Sequence, residues 1–124
     1  MVEVVNGYHQ ALIAAGAIVW EFQEFGSYQG DWLAVVDYKG ERGLVWGSYG
    51  SCDHCDAFEA EFDWDADGAP DYSERLAAFG KSYLDAPLYY TPELYKHFQK
   101  QAEWDGEAQD VVEFLRKVDI LYRV

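Results

Sequence analysis

Positively charged residues are scarce in this chain. Its 124 residues include nine Lys and Arg against 23 Asp and Glu, and no Lys or Arg falls between Gly43 and Glu74, where nine carboxylates occur. Contacts to nucleic-acid phosphates depend on Lys and Arg side chains, so this composition disfavours direct DNA binding. Carboxylates in that interval repel one another without a nearby cation, and the sequence alone gives no reason why folding should gain from this.

The chain also lacks the features that lead to secretion or to a membrane span. No Lys or Arg precedes the first apolar run, so the positive region of a secretory signal is missing. The longest nearly apolar run, residues 11–20, is too short to cross a bilayer. We therefore expect a cytoplasmic protein, in which Cys52 and Cys55 are thiols or metal ligands rather than a structural disulfide.

Common catalytic motifs are missing as well. The sequence has no glycine-rich phosphate loop, no nucleophile elbow and no zinc-protease motif. An enzyme would need a general base together with a nucleophile or a metal. The sequence therefore predicts a protein without catalytic activity.

Apolar and aromatic residues, by contrast, are abundant. Half of the residues are hydrophobic and 22 are aromatic, counting 5 Trp, 10 Tyr and 7 Phe, which is enough for one core in a single domain spanning residues 1–124. Apolar spacings of three and four predict a helix over residues 3–15. Alternation from residue 17 predicts a strand with Ile18, Trp20 and Phe22 on one face, and two further apolar runs complete an antiparallel meander.

The second half of the chain is predicted to be mainly helical and packed on this sheet, which makes the fold class α+β. The expected helices are residues 52–62 capped by Ser51, a helix that ends before Pro87, a helix that opens at Thr91-Pro92-Glu93 and runs to about Glu103, and a last helix through residues 111–118. The final residues, 119–124, extend that helix or pair as an edge strand.

An aspartate-rich stretch, DWDADGAPDYSE, lies between two of these helices. Calcium takes six to eight oxygen ligands, and a 12-residue loop can supply them. The side chains at the ligand places of such a loop would be Asp63, Asp65, Asp67, Asp71 and Glu74, with Gly68 at the sixth place. The stretch resembles an EF-hand loop, and calcium is therefore a possible cofactor. The alternative is that Asp71 and Glu74 form a capping box for the next helix, which explains both residues without an ion. Pro70 departs from the EF-hand pattern, and no second loop occurs.

The pair Cys52 and Cys55 forms a single CxxC motif. Zinc would need two further ligands, and the acidic residues around the pair disfavour a reactive thiolate. The alternative to zinc binding or thiol chemistry is structural, with Cys55 in the core and Cys52 completing a turn.

Residues 27–59 include SYQGDWLAVV and GSYGSCDHCDAFE. They resemble small bacterial and phage proteins that share a YQGD strand-turn and a YGSCxxCDxxE stretch. The resemblance implies a prokaryotic or phage setting and no particular chemistry.

Charge is the main indicator of function. We expect a non-enzymatic binding protein whose carboxylate face occupies a basic, nucleic-acid-binding surface of a partner, as DNA-mimicking anti-CRISPR inhibitors of host defence do. Clustered charge of this kind accelerates association and makes affinity depend on salt. The expected face, with one aromatic anchor, consists of Asp53, Asp56, Glu59, Glu61, Asp63, Trp64, Asp65 and Asp67. The alternatives are a calcium-binding module, a zinc-binding or thiol-active protein, and an acidic surface that serves only solubility.

Overall fold

The computed structural model describes residues 3–27, 29–50, 56–62 and 70–124. Its elements are α1 (Gly7–Ala14), β1 (Ile18–Gly26), β2 (Gly30–Tyr38), β3 (Glu41–Tyr49), α2 (Ala57–Glu61), α3 (Tyr72–Leu84), α4 (Thr91–Phe98), a 3₁₀ turn (Gln101–Glu103) and α5 (Gly106–Tyr122). The predicted α+β class is confirmed, with an N-terminal helix, a three-stranded antiparallel sheet and a mostly helical second half. No helix in the described ranges is long and apolar enough to cross a membrane.

The sheet has the order β1-β2-β3, and β2 is buried on both faces. Leu33 and Val35 belong to one hydrophobic cluster, whereas Trp32, Ala34 and Val36 belong to another on the opposite face. The run WLAVVDY, one of the two further apolar runs of the predicted meander, has apolar residues on both faces in the sequence, and it forms this strand as predicted. A strand of this kind requires cover on each side, because alternate side chains point in opposite directions.

Helices cover both faces of the sheet. On one face, α1 and α3 pack over Trp32, and on the other, α4 and α5 pack over Leu33 and Val35. The two helices of the first face cross closely at Gly80, where an added Cβ would overlap the carbonyl oxygen of Ala11. The sheet is thus the middle layer between two helical layers.

A β-bulge in β1 overturns the predicted alternation of its side chains. The pairing with β2 shifts register between Val19 and Glu21, so that Trp20 is an extra residue. A bulge reverses the alternation beyond it. Val19 and Phe22 therefore both pack on the α1–α3 face, Ile18 is 47% exposed, and Trp20 packs on the α4–α5 face. The prediction that Ile18, Trp20 and Phe22 share a face is wrong.

Predicted helix boundaries also need correction. The helix expected over residues 3–15 is α1, which begins at Gly7 because Asn6 has extended backbone angles and caps it. The expected helix over residues 52–62 begins only at Ala57, because Asp56 has extended backbone angles and caps α2. The predicted cap Ser51 lies outside the described residues. The helix predicted to run to about Glu103 ends at Phe98 and is followed by the 3₁₀ turn.

The start of α4 and the end of α5 were only partly foreseen. The cap of α4 is Tyr90 rather than Thr91, and the Tyr90 N–H donates to the Glu93 carboxylate at 3.1 Å. The C-terminal segment extends the last helix, which continues to Tyr122, so the edge-strand alternative is excluded.

The meander has two distinct ends. Lys39 and Gly40 form the β2–β3 turn with φ angles of 50° and 80°, and both values fit a tight two-residue hairpin turn. The β1–β2 turn lies at the opposite end of the sheet, where Gly26 pairs with Gly30. Asp31 and Asp37, near the two ends of β2, are separated by about 20 Å at the usual rise per strand residue.

Candidate functional site

Five residues of the predicted partner-binding face lie outside the described residues, and they are Asp53, Asp63, Trp64, Asp65 and Asp67. Cys52 and Cys55 also lie outside them. The structure describes the remaining members of the predicted face and of the predicted calcium loop, which are Asp56, Glu59, Glu61, Asp71 and Glu74.

Asp56 lies in the interior and not on the predicted acidic surface. Only 7% of it is exposed. Its carboxylate accepts hydrogen bonds from the Tyr8 hydroxyl, from the Gly50 N–H at 3.1 Å and from the Phe58 N–H at 2.9 Å. The carboxylate therefore caps α2 and connects it to α1 and to the end of β3, and its assignment to an exposed face is wrong.

Glu59 and Glu61 are exposed on α2, as the predicted face requires. Glu61 forms an ion pair with Arg75, whose guanidinium lies 3.7 Å from its carboxylate and also donates to its backbone carbonyl at 2.6 Å. Of the two, Glu59 is the residue that lines a surface cavity with other carboxylates.

The end of the predicted calcium loop is visible at the start of α3. Asp71 occupies the cap position, but its side chain makes no capping hydrogen bond, and Glu74 is exposed in the first turn. The capping-box explanation for Asp71 is therefore not supported. Within the described ranges, no group of three or more His, Cys, Asp or Glu is arranged to hold a metal ion. The other three carboxylates of the loop lie outside those ranges.

The fold brings together a second group of carboxylates that the sequence did not reveal. Asp31 opens β2 and Glu107 lies in the first turn of α5, 76 residues later, where its carboxylate accepts from the Asp31 N–H at 3.2 Å. Burial, and then the neighbouring carboxyl group of Asp31, raise the pKa of Glu107. Asp105 caps the same helix by accepting from the Glu107 N–H at 3.0 Å.

Tyr49 lies among these carboxylates. Its hydroxyl donates to the Phe25 carbonyl at 2.8 Å. Burial raises the pKa of Tyr49, and the charges of Glu24, Glu107 and Asp31 raise it further. Carboxylates from β1, β2 and α5 therefore converge near one phenol at the β1–β2 turn.

A cavity of about 250 Å³ opens beside Tyr49. Its wall includes the carboxylates of Glu24 and Glu59 and the buried Asp56, together with the hydroxyl-bearing ring of Tyr8. Exposed and half-buried carboxylates surround this cavity and the adjoining start of α5. We call this group of carboxylates the acidic end. Its members are Glu24, Asp31, Glu59, Asp105 and Glu107.

Most of these carboxylates bond to neutral groups rather than to cations. Glu24 accepts from the Asn6 amide at 2.6 Å, and Asp31 accepts from the Trp46 indole at 2.9 Å. In the part of the chain that the structure describes, Lys and Arg side chains form no ion pair with Glu24, Asp31, Asp105 or Glu107.

Toward the opposite end of the sheet, two carboxylates are paired with cations. Arg42 lies 2.6 Å from Asp37, and Lys117 lies 3.7 Å from Glu21. Glu41 at the same end instead accepts from the Tyr90 hydroxyl at 2.7 Å. Ion pairs to strand carboxylates in the described ranges thus lie away from the acidic end.

Trp104 offers an exposed aromatic ring next to the acidic end. It directly precedes Asp105, and 70% of it is exposed. Tryptophan is enriched among the residues that dominate binding energy at protein interfaces. Trp104 is therefore an exposed tryptophan beside a carboxylate, which is the arrangement that the sequence predicts for Trp64.

The chain matches no protein-family model, no curated protein and no solved structure. The resemblance of residues 27–59 to small bacterial and phage proteins thus stays a prediction.

Proposed function

We propose that this chain is a non-enzymatic binding protein that occupies a basic, nucleic-acid-binding surface of a partner through its acidic end. The observation that carries the proposal is the convergence of Glu24, Asp31 and Glu107 near Tyr49, with no ion pair to a Lys or Arg in the part of the chain that the structure describes. These residues come from three separate elements. The fold therefore concentrates negative charge beyond what the sequence order requires.

The energetics of these carboxylates favour a cationic partner. Burial of Glu107 and the neighbouring carboxyl group of Asp31 oppose the ionisation of Glu107, and they outweigh the hydrogen bond that its carboxylate accepts from the Asp31 N–H. An incoming Lys or Arg would replace that repulsion with charge-assisted hydrogen bonds, which are about twice as strong as neutral ones. Relief of the repulsion between the carboxyl groups would therefore add to the free energy of binding.

The chemistry of the partner follows from the same groups. A surface that binds nucleic acid presents Lys and Arg to phosphates at regular spacing. Carboxylates held on a rigid sheet end compete for the same side chains. The class that fits is a cytoplasmic inhibitor of a host-defence protein that mimics DNA and is encoded by a phage or mobile element. Anti-CRISPR proteins of similar size and charge act in this way, and the comparison with them is an analogy between classes of protein.

The experiment compares two variants of equal charge. The first carries Glu24→Gln, Asp31→Asn and Glu107→Gln, and the control carries Asp110→Asn, Glu113→Gln and Asp119→Asn, which are exposed on α5. Each is used to capture proteins from a native host lysate at low and at high salt, and captured proteins are identified by mass and tested for DNA binding.

We expect the wild type and the α5 control to capture a DNA-binding protein at low salt and to block its DNA binding. The acidic-end variant should lose this capture. Equal capture by both variants, or a captured protein whose DNA binding is unaffected, would refute the proposal.

A calcium-binding module is the second candidate, because the Asp71 carboxylate makes no capping hydrogen bond to α3. It predicts that millimolar calcium raises the melting temperature and that Glu74→Gln abolishes the rise. An unchanged melting temperature removes this candidate and leaves the first one intact.

A further inference from the structure

The outer edge of β3 is only partly paired. The N–H and the carbonyl of Leu44 both bond to Tyr89, each at 2.8 Å, so they point away from β2. In an antiparallel strand, alternate residues direct their backbone groups to the same side. Those of Trp46 and Ser48 therefore also point outward, and no hydrogen bond to them occurs within the described ranges.

From Gly43 to Tyr49, and as far as the described residues extend, this edge lacks the features that usually prevent strand addition. Edge strands are commonly protected by bulges and by charged side chains. The outer strand β1 has both, with a bulge at Trp20 and the charges of Glu21 and Glu24. In contrast, β3 keeps a regular register with β2 along its whole length, and residues 43–49 carry no charge.

There is also open space beside β3. A cavity of about 100 Å³ is lined by residues 44–46 of β3, by Ser82 and Tyr83 of α3 and by residues 86–89. It adjoins the Leu44–Tyr89 bridge, so a further strand beyond Tyr89 would continue a pairing that the chain already begins.

We propose that β3 accepts an extended, basic segment of the partner protein as a fourth strand, which pairs with the outward backbone groups of Trp46 and Ser48. The inference rests on the proposed function and adds the form in which the partner is recognised. Strand addition takes affinity from main-chain hydrogen bonds and selectivity from side chains.

Charge decides which occupant this edge takes. With a formal net charge of −14, a second copy of the chain would be repelled. Ser48 pairs with Asp31, which belongs to the acidic end. A residue opposite Ser48 on the added strand would lie two strand spacings, about 10 Å, from Asp31. A long Lys or Arg side chain extends over most of that distance.

The test uses two blocked seven-residue peptides of equal charge. One alternates Lys and Val, and the other has Pro in place of its central Val. We expect the alternating peptide to bind at low salt about tenfold more tightly, as the loss of one or two hydrogen bonds implies. Its binding should slow hydrogen exchange at the amides of Trp46 and Ser48.

A pair of variants tests the same contact from the side of the protein. Ser48→Pro removes an outward N–H and leaves the β2 ladder intact, as edge positions allow, and Ser48→Ala keeps the N–H. Ser48→Pro should weaken the alternating peptide by about tenfold, whereas Ser48→Ala should not. If Ser48→Pro does not fold, the exchange measurement on the wild type decides alone.

The outcomes separate this inference from the proposed function. Equal, salt-dependent binding of both peptides without protection of Trp46 and Ser48 overturns strand addition and leaves the acidic end as the binding site. Protection at Phe22 and Glu24 instead moves the contact to β1 and also overturns it. Protection of the β3 amides without peptide that increases with protein concentration identifies a second copy as the occupant and overturns the proposal. Binding of neither peptide at low salt contradicts both proposals.

Discussion

The hydroxyl of Tyr8 donates a hydrogen bond to the buried carboxylate of Asp56, 48 residues further along the chain. The same hydroxyl oxygen accepts from the Phe58 N–H at 3.1 Å, so α1 and the start of α2 share one polar contact inside an aromatic cluster. Glu59 follows directly on α2. The contact therefore fixes the position of one wall of the cavity at the acidic end.

Replacing Tyr8 by Phe should lower the free energy of unfolding by about 1.5–3 kcal/mol, because the bond involves a buried charged acceptor. Urea unfolding measures this change. Tyr95→Phe is the matched control, since Tyr95 accepts from Arg116 at 3.1 Å on the exposed surface and its loss should cost less than about 1 kcal/mol. Equal losses in the two variants would show that the buried hydrogen bond from Tyr8 to Asp56 contributes no more stability than an exposed one.

The same contact predicts an alkaline limit to stability. Burial, and then the hydrogen bond to Asp56, raise the pKa of Tyr8 above its ordinary value of 10.0. The folded state thus holds the phenol proton more tightly than the unfolded state. The resulting stability is present below pH 10.0 and is lost as the pH rises above it. Unfolding free energy measured against pH should fall more steeply in the wild type than in Tyr8→Phe, and parallel curves would contradict the assignment.

Local patterns in the sequence were sufficient for the fold class. The continuous apolar run of β2 reflects burial on both faces of one strand, and the spacing of Leu76, Phe79 and Tyr83 in α3 reflects burial that repeats along one helix. The bulge at Trp20 was missed because it depends on pairing with β2 and not on the residues of β1 themselves. Asp56 looked like one more surface acid, although aspartate before a helix is a preferred cap.

The candidate site was harder to foresee than the fold. Closely spaced carboxylates over residues 53–67 predict an acidic face there, and much of that segment lies outside the described residues. Asp31 and Glu107 are 76 residues apart, so no spacing rule connects them. Only the fold, which brings the start of β2 to the start of α5, reveals their proximity.

The crossing of α1 and α3 gives a steric prediction. Alanine normally stabilises a helix relative to glycine by about 1 kcal/mol. At Gly80 the added Cβ would overlap the Ala11 carbonyl, so Gly80→Ala should instead destabilise the protein by about 1–3 kcal/mol. Thermal unfolding measures this, with Ala78→Gly on the exposed side of α3 as a control that should cost about 1 kcal/mol. A gain in stability for Gly80→Ala would show that the helices do not touch there.

Glu107 should link stability and binding in opposite directions. Because burial and the carboxyl group of Asp31 raise its pKa above 4.5, its favourable contribution is present below that pH and is lost as the pH rises. At neutral pH the ionised form of Glu107 therefore contributes less to stability than the protonated form does. Glu107→Gln keeps an oxygen that can accept from the Asp31 N–H and should raise the melting temperature at pH 7.

Two comparisons make the Glu107 prediction specific. The gain in melting temperature should shrink toward pH 4, where the wild-type carboxyl group also takes up a proton, and Glu113→Gln, exposed on the same helix, should change little. Glu107→Gln should at the same time bind the alternating Lys and Val peptide more weakly than the wild type does. A lower melting temperature would mean that the favourable interaction of a carboxylate with the start of α5, about 0.3–1 kcal/mol, outweighs its repulsion by Asp31. In that case the repulsion between Glu107 and Asp31 would be too weak for its relief to favour the binding of a partner.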